Sequence, residues 1–270
     1  MPAVRHLRID SIEVVPDRLD TGYYSYDYFS AKNRLQDSGI PFVEIGAVCE
    51  PWCFGAYALC NEIEWCAKEE GIPYVKAEAL GAPLLNDSGL SYITPATNTL
   101  LAKSQLTAGD IIVSTSGTVG MCAVIPEYIQ EINSNQDTIK FRPPKERFDP
   151  YFVVAWISTP TAQAILDRES GGAVQKHIYL HNFQQIPLLE PRLVVQQYIG
   201  EKVRQAERLQ RVAIQLSLRL TNLASMPLIR DALEIQRVRT NRVRADRFTG
   251  YRLDSKYYSA RALGRLKTPF

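Results

Sequence analysis

Eight residues near the start of the chain return near its end. Arg18-Leu19-Asp20-Thr21-Gly22-Tyr23-Tyr24-Ser25 is matched by Arg252-Leu253-Asp254-Ser255-Lys256-Tyr257-Tyr258-Ser259, with six identities, one Thr/Ser exchange and no gap, at an offset of 234 residues. A fixed-period repeat constrains architecture more than any local pattern, because each copy is one structural unit and the period is the length of that unit. The expectation is a unit of about 234 residues followed by the opening of a second copy. A second architectural signal follows Pro191. Ile199, Val203, Ala206, Leu209, Ala213, Leu216, Leu220 and Leu223 are apolar among Gln, Arg and Glu, and from Leu209 the steps are 4, 3, 4 and 3. That is a coiled-coil-like seam, so a long helix from about 193 to 223 is predicted, with a face that packs on another helix.

Before that seam the pattern is mixed. "IPFVEIGAV" (40–48) reads as a strand, "ALCNEIEWCAKEEG" as a short helix closed by Gly71, and "IPYVKAEAL" as a strand that tolerates Pro73 near its start. "LLNDSGLSYIT" holds a turn at 86–89. Ile111-Ile112-Val113 and Cys122-Ala123-Val124-Ile125 are β-rich runs joined by the small residues 114–120, a hairpin pattern, and "TIKFRPP" (138–144) alternates as a strand does. "DPYFVVAWISTPTAQAILDRES" reads as a helix with Asp149 as N-cap and Pro150 at its first position. "GGAVQKHIYLHNFQQIPLL" is a glycine turn followed by short strand material, and "PLIRDALEIQRVRTNRVR" (227–244) is a second helical segment. The fold class is therefore α+β: a mixed domain of β-hairpins and short helices over 1–192, a helical region over 193–245, and the start of a second repeat over 246–270.

With 270 residues, 46% of them apolar, the chain has material for a real core. No apolar run approaches the ~18 residues of a membrane span, and "MPAVRHLRIDSIEV" lacks the apolar stretch of a signal peptide, so a cytoplasmic protein without membrane contact is expected. The five cysteines, Cys49, Cys53, Cys60, Cys66 and Cys122, are odd in number, and the spacing of the first four lacks a tight C-x2-C pair. Reduced thiols are expected rather than disulfides or a metal site. The net charge is only +2, but residues 236–270 hold ten Lys/Arg against Asp246 and Asp254, leaving −6 on the rest. That basic stretch is either a phosphate-binding surface or a solvated helix face with a tail.

In this order, several pieces resemble the specificity subunits of type I restriction-modification systems. "RLDTGYY" resembles the opening of their target-recognition units, "CFG" (53–55) their Phe-Gly turn, and "GIPYVKAEAL" (71–80) their Gly-Ile-Pro strand. "YIT" (92–94) and "GDIIVSTSGTVG" (109–120) follow, the latter similar to their Gly-Asp hairpin; "NSNQDTIKFRP" (133–143) and "GGAVQKHIYLHNFQQIPLLEP" (171–191) are similar to later segments, and "VVQQYIGEKV" stands where the conserved helix begins. The sequence departs from the family at Ser114-Thr115-Ser116, where an Arg is common, and in "LLEPRLVVQQ", which lacks the usual double proline. The resemblance implies a target-recognition domain followed by a conserved spacer helix, in a form with one recognition domain where a full subunit has two.

The resemblance also implies recognition of double-stranded DNA without catalysis by this chain. The residues agree: there is no "NPPY"-type methylation motif, no acidic nuclease cluster, no glycine-rich phosphate loop between strand and helix, and only His6, His177 and His181 as histidines. No catalytic residues and no cofactor are expected here; S-adenosylmethionine, ATP and Mg would belong to partner methyltransferase and restriction subunits. Reading DNA needs phosphate contacts for register and base-edge contacts for sequence. Three polar sets carry such side chains: Ser114, Thr115, Ser116 and Thr118; Asn135 and Gln136 within "NSNQ"; and Gln175, Lys176, His177, Tyr179, His181 and Asn182. Lys76, Lys140 and Arg142 are phosphate candidates. Tyr23, Tyr24, Tyr26, Tyr28 and Phe29 can stack on bases, but core packing is the preferred reading of that stretch.

A chain with one domain and one long helix restores a two-domain subunit by pairing with itself. The expectation is a homodimer packed through Ile199, Val203, Leu209, Leu216, Leu220 and Leu223, each copy recognising a half-site. Two other readings remain: the recognition half of a separated methyltransferase-nuclease fusion, and a helical interaction protein that does not touch DNA.

Overall fold

A computed structural model describes residues 14–15, 22–54, 57–172 and 175–225. The second copy of the repeat, the basic stretch 236–270, the expected helix over 227–244 and positions 18–21 of the first copy lie outside the described residues. The chain divides into two compact units, Met1–Glu207 and Arg208–Phe270.

In the first unit, helices start where the sequence supplies a side-chain cap. The Ser25 hydroxyl accepts from the Tyr28 amide at 3.2 Å and opens α1 (Tyr26–Asp37). Later helices begin with a cap followed by proline: Thr94 before α3 (Pro95–Leu100), Asp149 before α4 (Pro150–Ile157) and Thr159 before α5 (Pro160–Glu169). That third cap corrects the single helix expected from 150 onward. Proline at 160 forces Thr159 to an extended conformation, φ −72° and ψ 149°, so the segment breaks into two helices at Ser158-Thr159.

The main sheet is antiparallel, in the order β2 (Trp52–Cys53), β8 (Thr138–Phe141), β5 (Ile111–Ser114), β6 (Cys122–Val124). Strand β5 is central and all four of its residues are buried. Its alternation divides the core. Ile111 and Val113, with Cys122, Val124, Ile139 and Phe141, pack on α4 and α5; Ile112 and Ala123 face Val75, Ala79, Leu80 and Leu85 on the other side. A three-stranded sheet places β3 (Ile72–Val75) between antiparallel β4 (Ser91–Ile93) and parallel β7 (Asn133–Ser134). A two-stranded ribbon pairs β1 (Phe42–Glu44) with β9 (Pro187–Leu189).

Three expectations are corrected. The strand over 40–48 is extended only at Phe42–Glu44 and continues as the helical turn α2 (Ile45–Val48), because the Ile45 amide bonds the Ile186 carbonyl at 3.0 Å and its side chain is fully buried. The helix expected before Gly71 is a 3-10 segment at Tyr57–Glu62, after which Trp65 pairs with Ile93 and the Cys66 amide bonds the Tyr92 carbonyl; the edge of β4 captures this backbone. The material expected as strand after 178 includes the short helix α6 (Leu180–Gln184).

Of the aromatic stretch, Tyr26, Tyr28 and Phe29 lie in α1, and Tyr23 and Tyr24 lie in the turn before it. The Arg168 guanidinium of α5 lies 3.9 Å from the Tyr23 ring centre and 4.0 Å from that of Tyr28, and Ala31 and Leu35 are buried behind them. The predicted long helix is α7 (Leu193–Ser225), 33 residues, about 50 Å at 1.5 Å per residue. In the first unit, Ile199 and Val203 pack on the main core cluster. The described residues of the second unit, 208–225, are helical throughout, and Leu209, Leu216, Leu220 and Leu223 are 70%, 51%, 66% and 47% exposed.

The core assignment is checked by Phe183→Ala. Phe183 is fully buried with its ring 5.6 Å from that of Phe141. Its truncation is expected to cost about 3–5 kcal/mol in denaturant unfolding, whereas Leu100→Ala, on an exposed helix end, costs under about 1 kcal/mol.

Candidate nucleic-acid interface

The hairpin joining β5 to β6 is stapled by the last residue of β5. The Ser114 hydroxyl donates to the Thr118 carbonyl at 2.5 Å and accepts from the Met121 amide at 3.0 Å, while Gly117 and Gly120 turn the chain at φ +72° and +84°. Ser116, Gly117 and Thr118 are left at the tip.

Thr115 ties this hairpin to its neighbours. Its amide donates to the Asp137 carbonyl at 3.0 Å, and its carbonyl accepts from the Ile178 amide at 2.9 Å. The Ser116 hydroxyl meets His177 Nδ1 at 2.7 Å. His177 in turn exchanges both backbone hydrogen bonds with Gly171, which closes the loop that carries Gln175 and Lys176. Gly172 is required in that loop: at φ +116°, an added Cβ would stand 2.1 Å from the Gln175 carbonyl oxygen. The Asn135 amide reaches the Val75 carbonyl at 3.0 Å, which brings 135–137 beside the residue after Val75, Lys76. Parts of all three polar sets thus meet at one rim.

The rim sorts the candidates. Gln175, Lys176, Tyr179, His181 and Thr118 are exposed or nearly so; Lys76, Ser116, Asn135, Gln136, His177 and Asn182 are half-buried. Tyr179 is 58% exposed; its ring meets His177 edge-on at 4.8 Å and runs nearly parallel to His181 at 5.9 Å. Lys176 is ion-paired with Asp167, and Asn182 Nδ2 donates to Glu169 at 3.3 Å. Lys76 Nζ sits 4.3 Å over the ring of Trp65, which is 50% exposed. Trp65 is a rim residue that sequence reasoning missed; the signal was a lone large aromatic in the polar run "NEIEWCAKEE".

Four candidates have internal roles instead. Ser114 and Thr115 are buried in the hairpin base. Lys140 is fully buried, and its Nζ donates to the Asn135 carbonyl at 3.1 Å, an oxygen that also accepts from Thr138 Oγ1 at 2.8 Å. A group with no solvent path does not reach a phosphate; Lys140 pins the 135–137 segment from beneath. Arg142 is exposed but held by Asp110 at 2.6 and 3.0 Å and by Thr107 at 2.7 Å, so it locks the 107–110 turn. Within "NSNQ", Asn133 and Ser134 are buried anchors, with Asn133 bonded to Ser104, Asn98 and Leu101. Two buried oxygens at the centre of the rim, Thr115 Oγ1 and Asn135 Oδ1, meet no hydrogen-bond partner among the described residues.

Among the described residues no group of three or more His, Cys, Asp or Glu is placed to hold a metal ion, and the five cysteines are free thiols. Burial pushes the Cys49 thiol up to about 11 and that of Cys122 up to about 12, away from nucleophilic use. No helix among the described residues is long and apolar enough to cross a membrane.

Residues 65–218 match the family model for the type I restriction modification DNA specificity domain. The chain belongs to that family. It is a family of DNA-recognition components that do not themselves catalyse, and the match spans the rim from Trp65 to Asn182 and most of α7. No curated protein matches the chain. Among solved structures, a chain from a type I R-M system complex is 14% identical, with TM-score 0.45 and coverage of 73% of this chain and 49% of that one. The type I S subunit from M. genitalium is 12% identical, TM-score 0.45, covering 68% and 44%; the type IIG restriction endonuclease BpuSI is 10% identical, TM-score 0.47, covering 68% and 28%. This specificity-domain chain spans less than half the length of each.

Lys140 gives this site a measurable signature. Burial lowers its pKa to about 8, an effect only partly offset by the neighbouring Cys53 and Asp137. Between about 8 and 10.5 the unfolded chain therefore holds a proton that the folded domain has released. Stability relative to Lys140→Met is expected to rise through that window, on the order of 1 kcal/mol per pH unit. Denaturant unfolding of both proteins at several pH values checks it; a flat difference contradicts the buried placement.

Proposed function

We propose that this specificity domain reads one half of a split duplex-DNA target through the rim formed by 115–118, 135–137 and 175–182. The observation that carries the reading is the joining of three separate polar segments by the backbone hydrogen bonds of Thr115, in a chain of the DNA specificity family. Thr118, Gln136 and Gln175 have the donor and acceptor patterns that pair with base edges, while Lys76 and Lys176 suit phosphates. Tyr179, exposed between two imidazoles, offers a flat apolar face beside them.

The recognition domain is read as 1–192, the spacer as 193–245 and the second repeat as beginning at 246. Two copies pair through α7, and the exposed Leu209, Leu216, Leu220 and Leu223 support this because four large apolar side chains at heptad spacing lack cover. Methyltransferase and restriction subunits would supply the chemistry, with S-adenosylmethionine, ATP and Mg bound to them.

Two measurements test the reading. Fluorescence anisotropy with duplex DNA is expected to show binding that falls linearly in log K against log salt concentration. Gln175→Ala with Tyr179→Ala is expected to weaken binding to a selected target by roughly 5- to 150-fold for each base pair that the variant no longer reads. Salt-independent binding, or none at low salt, overturns the DNA assignment. Light scattering is expected to give twice the chain mass, halved when Leu209, Leu216 and Leu220 are changed to Glu; an unchanged mass rejects this seam.

A further inference from the structure

The first turns of α7 are clasped to the domain by polar groups on one helical face, at 196, 200, 204 and 207. Gln196 is fully buried; its Nε2 donates to the carbonyls of Arg147 at 2.9 Å and Pro191 at 2.8 Å, and its Oε1 accepts from the Asp149 amide at 3.1 Å. One turn on, Gly200 lies directly against Asp149, so that an added Cβ would stand 2.4 Å from Oδ1. One turn further, Arg204 donates to Asp149 Oδ2 at 2.7 Å and its guanidinium covers the Tyr151 ring at 4.5 Å. The Tyr151 hydroxyl then donates to Glu207 at 3.1 Å.

Asp149 is the centre of this contact. Its Oδ1 caps α4 by accepting from the amides of Tyr151 at 2.9 Å and Phe152 at 3.3 Å, while its Oδ2 holds Arg204. One carboxylate therefore starts a core helix and fixes the spacer helix. Directional bonds to a buried, already committed carboxylate add to the packing of Ile199 and Val203 and restrict the rotation and tilt of this end of the helix. A cavity of about 270 Å³, lined in part by Glu127, Lys145, Gln197 and Arg204, borders the clasp and leaves space for a displaced side chain.

We propose that Asp149, Gly200 and Arg204 are positioning residues for DNA recognition. They set the angle at which α7 leaves the domain, and so the number of base pairs between the two half-targets that a pair of chains accepts. The inference rests on the pairing through α7 proposed above. The leverage is sufficient: a tilt of about 10° moves a point ~25 Å along a helix by about 4 Å, slightly more than the rise of one base pair.

The test is selection of duplexes from a randomised library by the full chain and by its Gly200→Ala and Arg204→Gln variants, followed by sequencing. The parent protein is expected to enrich two inverted half-motifs at one spacing. Gly200→Ala, which must move the helix or Asp149, is expected to enrich the same half-motifs at a spacing changed by one or more base pairs. Arg204→Gln, which removes the charge and adds no bulk, is expected to spread the enriched set over several spacings. Retention of the half-motifs shows the rim intact, so loss of folding does not account for the change. Unchanged spacing in the folded variants overturns the inference; if Gly200→Ala does not fold, Arg204→Gln decides. A single half-motif with no partner at fixed distance, already in the parent protein, overturns the pairing and this inference with it.

Discussion

The backbone of Thr115 is the constraint on which the candidate interface depends. It sits one residue beyond the buried central strand, so the main sheet fixes its position. Its amide and carbonyl then bind Asp137 on one side and Ile178 on the other. Each such bond contributes only about 1 kcal/mol net, but leaving either buried partner unmade costs more. The three loops consequently have little freedom to separate. The polar side chains that remain at the rim stand on a rigid base, which is what the proposed reading of bases by weak individual contacts requires.

Beneath the rim, the domain gives each of three buried charges a partner. Lys140 is buried under the 135–137 segment, where its ammonium holds the Asn135 carbonyl; Asp110 is buried and takes Arg142; Asp149 is buried and takes Arg204. A buried charge with an assigned hydrogen-bond partner is tolerated, and removing one member leaves the other exposed to the full desolvation cost. These three contacts fix, respectively, the 135–137 segment, a turn ahead of the central strand, and the first turns of α7.

What the sequence discloses and what it conceals divide along distance in the chain. Caps with proline, the β5–β6 hairpin and α7 are legible because their signals lie within a few residues: Asp149-Pro150, the small residues at 114–120, the 4-3-4-3 steps after Leu209. The three polar sets are visible in the sequence as sets, but neither their meeting at one rim nor the inward roles of Ser114, Thr115 and Lys140 are, since these depend on strands brought together from far apart. Cys53, for instance, donates to the Gln136 carbonyl at 3.2 Å across 83 residues. The 150–169 segment breaks in two because one proline acts on its neighbour, a local rule that helical periodicity outweighed. Trp65 stands out locally only as a lone large aromatic in a polar run; its place on the rim is set by pairing with Ile93 at the edge of β4, which the flanking glutamates do not disclose.

The central claim, that the Thr115-linked rim is where duplex DNA is bound, is most directly tested by amide hydrogen exchange of the whole chain with and without a selected duplex. Slowed exchange in 115–118, 135–137 and 175–182 is the expected result. Slowing confined to other surfaces, such as the α3 end near Leu100, with the three segments unchanged, would contradict it.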